Sequence, residues 1–143
     1  MRWIMLNPSI IRQFLFEQKR HNVVGRSMQP ILRHGQTITL IPHEQTLISG
    51  HIYVFLCYGK LLMHRLVIHE KNVAVFMGDH SARVEKVDCS AIVAKLECSY
   101  NKFLLTLINL MNKICFAVSG RKFMYALLQK IRIRCIAFLT GTF

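Results

Sequence analysis

With 143 residues, 52% of them hydrophobic and 18% charged, the chain can build one modest core and is not a disordered polymer. Nineteen basic residues stand against seven acidic ones, a formal charge of +12, so phosphate-bearing surfaces, lipid or nucleic acid, are the partners its field favours. Five irregularly spaced cysteines without a Cys-x-x-Cys pair argue against a zinc ribbon or thioredoxin-like site and fit a reducing compartment.

Trp3-Ile4-Met5-Leu6 is too short an apolar run for the core of a secretory signal. Nor does the chain contain the roughly 18 uninterrupted apolar residues of a spanning helix. The expectation is a cytoplasmic or peripheral membrane protein. Asn7-Pro8 is a helix start, with the cap residue followed by proline at the first helical position. Ile10, Ile11, Phe14 and Leu15 then share a face, which predicts a short amphipathic helix over residues 8–20. From His21 the period changes. Residues 37–40 alternate polar and apolar, and residues 51–58 are rich in β-branched and aromatic side chains. Gly59-Lys60 turns the chain into a return strand over residues 61–69. Lys71-Asn72 is a second turn, residues 73–77 a third strand and residues 91–96 a last one.

After Asn101 the helical period returns. Thr106, Asn109, Asn112 and Lys113 form one narrow polar stripe, Ser119-Gly120 breaks the helix, and Lys122, Tyr125, Gln129 and Arg132 form a second stripe. Seven basic residues and no acidic one follow Glu97. A 16-residue helix spans about 24 Å, short of a roughly 30 Å hydrocarbon core. The tail is therefore expected to lie on an anionic membrane surface, its basic stripes toward the headgroups. The plainer alternative is a helical hairpin that covers an open face of the sheet. The chain thus divides into an N-terminal helical arm (1–20), a mainly β core (21–98) and a basic amphipathic helical tail (99–143). The core is expected to be a small antiparallel coiled sheet or barrel.

Three segments carry chemistry: Gly25-Arg26-Ser27-Met28-Gln29-Pro30, His64-Arg65 and Gly78-Asp79. Each is ordinary alone, a turn serine, a strand histidine and a turn aspartate. Together and in this order they resemble the superfamily of type I signal peptidases and self-cleaving repressors. The resemblance extends through Gly35-Gln36-Thr37-Ile38, Gly50-His51-Ile52-Tyr53-Val54-Phe55, Met63-His64-Arg65-Leu66-Val67 and Met77-Gly78-Asp79, covering about residues 23–96. It implies that Ser27 is the nucleophile and that Met28, with Pro30, lines the substrate cleft. The base position holds His64, similar to the endoplasmic-reticulum, archaeal and sporulation-type branch rather than to the lysine-dependent enzymes. In that branch the acid of the Gly-Asp segment, here Asp79, supports catalysis.

The chemistry is coherent with this. A serine hydroxyl needs a base to take its proton, and histidine suits neutral pH. A carboxylate on the far imidazole nitrogen would fix the tautomer, and the Ser27 backbone N–H is the expected oxyanion donor. The chain departs from the pattern at Gly25, where many signal peptidases carry a serine. The Gly-Asp segment is abbreviated to Met77-Gly78-Asp79-His80, and Glu85 and Asp88 are the candidates for a further acid. The usual N-terminal membrane anchor is missing, which leaves room for a membrane partner protein. Lys60, four residues from His64 and so about 13 Å along a strand, is rejected as a rival base; His80 is a lesser one. The other histidines show no metal-ligand spacing, and no metal or cofactor is expected.

The function implied is that of a serine endopeptidase, a signal peptidase-like hydrolase that processes a precursor protein or peptide bound as an added strand. The alternative is a non-catalytic peptide- or membrane-binding member of the same fold. A nucleic-acid role has no motif behind it, and only about 20 residues precede the core, too few for the helix-turn-helix of a repressor. A histidine base predicts hydrolysis that rises through roughly pH 6 to 7.5, read from a pH–rate profile on a peptide substrate. Activity that survives His64→Ala would remove the base assignment.

Overall fold

The computed structural model describes residues 7–29, 31–81, 83–98 and 101–139. Helix α1 (Pro8–Glu17) starts where Asn7 Oδ1 accepts the Ser9 N–H at 2.9 Å, and it ends three residues before the expected boundary, at an extended Gln18. Leu15 is its buried residue and packs with Val54, Val93 and Ala94. The Arg12 guanidinium donates to the Ile92 carbonyl at 2.6 Å and pins the helix to the sheet.

The strands are β1 (His21–Asn22), β2 (Thr37–Ile38), β3 (Leu40–Ile41), β4 (Ile52–Cys57), β5 (Lys60–Glu70), β6 (Val73–Met77), β7 (Val84–Asp88) and β8 (Ile92–Leu96), a 3₁₀ turn at Cys89–Ala91 leading into β8. The pair β1–β2 forms a small ribbon, and the other six form one antiparallel sheet in the order β3-β8-β4-β5-β6-β7. The sheets are not closed into a barrel: β3 pairs with β8 and β7 with β6. The β4–β5 connection is a two-residue turn at Tyr58-Gly59, both at positive φ, one position earlier than the sequence suggested. Strand β7 was not anticipated. Three of its five residues are charged, as suits an edge strand that pairs on one side only.

Strands β4 and β5 hold the middle of the sheet, and residues 64–67 of β5 are buried one after another. Both faces there are covered. One carries Tyr53, Phe55, Leu66, Phe76 and Ile92, with Phe55 and Phe76 stacked at 4.2 Å. On the other, Val67 and Met77 pack against Cys115 of α2 (Lys102–Ala117), while Tyr125 and Leu128 of α3 (Lys122–Leu139) close over them.

Arg65 belongs to this second face and has no exposed surface. Its Nε and Nη2 donate to the two oxygens of Asp79 at 2.9 and 2.6 Å, and Nη1 donates to the Gly50 carbonyl at 2.6 Å. The pair ties β5 to the loop after β6 and to the loop before β4. Breaking a buried ion pair by deleting one member costs about 3–5 kcal/mol, because the other charge is stranded. Asp79→Ala is expected to lose stability of that order in chemical denaturation, and Arg65→Met/Asp79→Leu to lose much less than Asp79→Ala alone. Equal losses would show that the pair contributes no more than its packing.

Candidate active site

The site is assembled from a turn, a strand and an edge strand. Ser27 sits in the turn 26–29, closed by the Gln29 N–H donating to the Arg26 carbonyl at 3.1 Å. His64 lies on β5 opposite Tyr53 of β4, its ring edge-on to Phe55 at 6.1 Å. Glu85 lies on β7 opposite Phe76 of β6, on the face that carries the aromatic stack. Alternation along the sheet thus sends His64 and Glu85 to the same side.

The three side chains form a continuous relay. His64 Nε2 is 2.9 Å from Ser27 Oγ, and His64 Nδ1 is 2.9 Å from Glu85 Oε2. A carboxylate can only accept, so Nδ1 carries the proton and donates it to Glu85. The bare Nε2 then faces the serine hydroxyl as its acceptor. The His64 and Glu85 side chains are only 6% and 10% exposed, so little of the relay meets water directly.

Ser27 and His64 are brought together. Asp79, read as the acid of the relay, does not hold His64: both its oxygens serve Arg65. The reason is strand parity, since His64 and Arg65 are neighbours on β5 and face opposite sides. Of the two further acids, Glu85 takes the position, while Asp88 Oδ1 accepts the Ser90 N–H at 2.8 Å as a cap. Met28 is buried among Val23, Leu32, Ile38 and Ile52 and also lines the pocket beside Ser27. Pro30 lies outside the described residues. Arg65, read as an outward-facing residue or an ion-pair partner, is the latter. Lys60 is exposed next to the hairpin turn, and His80 is exposed, contributing to the site through its backbone. Burial pushes up the thiol pKa values of Cys57, Cys89 and Cys115, which makes them poor nucleophiles.

No family model, curated protein or solved structure matches this chain. Its chemistry must be read from the geometry.

The space in front of Ser27 is a pocket of about 70 Å³ lined by Val23, Val24, Gly25, Met28, Leu61–Met63 and His64. It suits a small side chain. A larger groove, about 920 Å³, lies on the far side of Glu85, between Tyr58, Arg83, Phe116 and Tyr125. Among the described residues, β5 is bonded to β4 alone from Lys60 to His64, because its ladder with β6 starts at Arg65. That leaves an open backbone edge beside Ser27.

Gly78 closes the back of the site, a role the sequence reading missed. A Cβ there would lie 2.7 Å from the Ser27 carbonyl oxygen and 3.1 Å from His64 Nε2. The loop it opens is held at two levels. The His80 N–H donates to the Ser27 carbonyl at 2.7 Å, and Arg132 Nη2 of α3 donates to the carbonyls of Gly78 at 2.8 Å and Ser81 at 3.2 Å. Arg132 also donates to Gln129 Oε1 and Asn112 Oδ1, both at 2.8 Å. Burial pushes its pKa down and the Asp79 charge draws it back up. Gly78→Ala is expected to cost about 1–3 kcal/mol through overpacking. It should also slow acylation of Ser27 disproportionately, as the Ser27 turn moves off His64. Denaturation midpoints and the rate of serine labelling read the two effects, and a variant neutral in both would show that the loop yields freely.

Proposed function

We propose that the chain is a serine endopeptidase in which Ser27 attacks, His64 is the general base and Glu85 orients and stabilises the imidazole. The observation that carries this is the unbroken Ser27–His64–Glu85 relay with its 2.9 Å contacts. The hydroxyl proton passes to Nε2 as Oγ bonds to the scissile carbonyl carbon. Glu85 balances the imidazolium that forms. Collapse of the tetrahedral intermediate returns the proton to the leaving amine, and water repeats the sequence to free the acyl group. The Ser27 N–H is the proposed donor to the oxyanion.

The substrate is a precursor protein or peptide presenting an extended segment, which adds to the open edge of β5 between Leu61 and Met63. The small pocket favours alanine-sized side chains at the cleaved position. This agrees with the resemblance to signal peptidases of the histidine branch. Asp79 supports the site indirectly, by anchoring the loop that carries Gly78 and His80.

Mass spectrometry after exposure to a serine-reactive, signal-peptidase-type acylating inhibitor tests the reading. A single adduct on Ser27, absent from Ser27→Ala, is the expected result. Glu85→Gln should slow its formation on the order of 10²-fold, the low end of what general acid–base assistance supplies. No adduct at any pH at which imidazole is neutral would turn the reading to the non-catalytic binding alternative.

A further inference from the structure

The polar stripes of the tail face inward. Asn112 and Arg132 are fully buried with Gln129 at 5% exposure, and Asn109 Nδ2 donates to the Ser49 carbonyl at 2.7 Å. The stripes therefore grip the core, and the expectation that they face headgroups is overturned for all but Thr106, Lys113 and Lys122. Much of what faces out is apolar. Phe103, Leu110 and Ile114 recur along α2 at helical spacing, and Phe123, Leu127 and Ile131 along α3. Phe123 is 83% exposed and Phe103 72%. A surface helix in water turns its apolar stripe to the core; this hairpin buries Ile108, Cys115 and Ile136 and yet keeps a second apolar stripe outward.

The charge around that face indicates what covers it. Lys102, Lys113, Lys122, Lys130 and Arg134 are all exposed on the two helices, and no acidic residue follows Glu97. A second copy would bring another +12 to the contact and be repelled. Nucleic acid would match the cations and can stack on the phenylalanines, but it leaves the outward Leu110, Ile114, Leu127 and Ile131 without a role. An anionic bilayer matches both, cations to headgroups and apolar side chains to the acyl boundary. Between the helices lies a groove of about 380 Å³, with Leu107, Met111 and Cys135 in its lining and Arg134 beside them, apolar with a cation at hand. No described helix is long and apolar enough to cross a membrane, so the contact is with one leaflet.

We propose that the α2–α3 hairpin docks its outward apolar face into the headgroup–acyl boundary of an anionic phospholipid membrane. This goes beyond the peptidase reading and does not depend on it. Arg132 looks inward from the same helix onto Gly78 and Ser81, so docking would hold the Ser27 cleft at the membrane surface.

The test is vesicle co-sedimentation of the full chain carrying Ser27→Ala, which keeps catalysis out of the measurement. Vesicles of phosphatidylcholine mixed with phosphatidylglycerol should bring the protein down, more weakly as salt rises. Phe123→Ser with Leu127→Ser should lower partitioning about tenfold or more, since two exposed apolar side chains lose their burial. Lys130→Gln and Arg134→Gln should each lower it roughly fivefold. These positions are exposed, and unchanged circular dichroism and melting of each variant is the check on folding. Absence of sedimentation overturns the proposal. So does sedimentation indifferent to the two serine substitutions, which would be charge attraction alone. A dimer in analytical ultracentrifugation that those substitutions dissolve would assign the face to a second copy instead.

Discussion

A guanidinium without exposed surface, in the middle of a 143-residue protein, is the constraint around which the rest is arranged. Arg65 cannot be desolvated cheaply, so every donor it presents must meet an acceptor. Asp79 supplies two and Gly50 a third. Satisfying that one side chain brings the loop after β6 and the loop before β4 to the same strand. The loop after β6 then sits where Gly78 can pass close behind the Ser27 carbonyl and His64, and where the His80 N–H can hold the Ser27 turn. The ion pair contributes no atom to the proposed reaction, yet the relay on the opposite face depends on the loop positions it sets.

Arg132 is a second buried guanidinium, from another element and directed to the same loop. Its acceptors are carbonyls and amides rather than a carboxylate, which is why the helical tail carries Asn112 and Gln129 on its inner side. Two cations on one loop are tolerated because Asp79 pairs with Arg65 and its charge also favours the charged form of Arg132. The tail is therefore bound to the core by polar contacts as well as by the apolar packing of Cys115, Tyr125 and Leu128. Its outward apolar stripe is released for another use, and this underlies the proposed lipid contact.

Much of this was legible in the residues. The cap at Asn7-Pro8, the hairpin strands, the turn at Lys71-Asn72 and the break at Ser119-Gly120 were all readable from period and turn chemistry. Ser27 and His64 came from a resemblance, since neither residue is distinctive by itself. Other features were hidden for physical reasons. Strand β7 has too many charges to announce itself, and it is the strand that carries Glu85. A glycine that admits a carbonyl and an imidazole within van der Waals range looks, in sequence, like any glycine in a turn. The polar stripes of α2 and α3 were found correctly, but a period fixes which residues share a face and not which way the face looks. Only the buried partners of Asn109, Asn112 and Arg132 decide that.

The adjacency of His64 and Arg65 has a consequence for how this protein can change. One residue serves the proposed chemistry, the next serves cohesion, and the pleat alone keeps them apart. Lengthening or shortening the Tyr58-Gly59 hairpin by a single residue upstream of them would exchange their sides, presenting a guanidinium to Ser27 and an imidazole to Asp79. Neither residue could do the other's job. Indels in this hairpin are therefore admissible only in even steps or as bulges, so its length is under as tight a constraint as the identity of the residues it delivers.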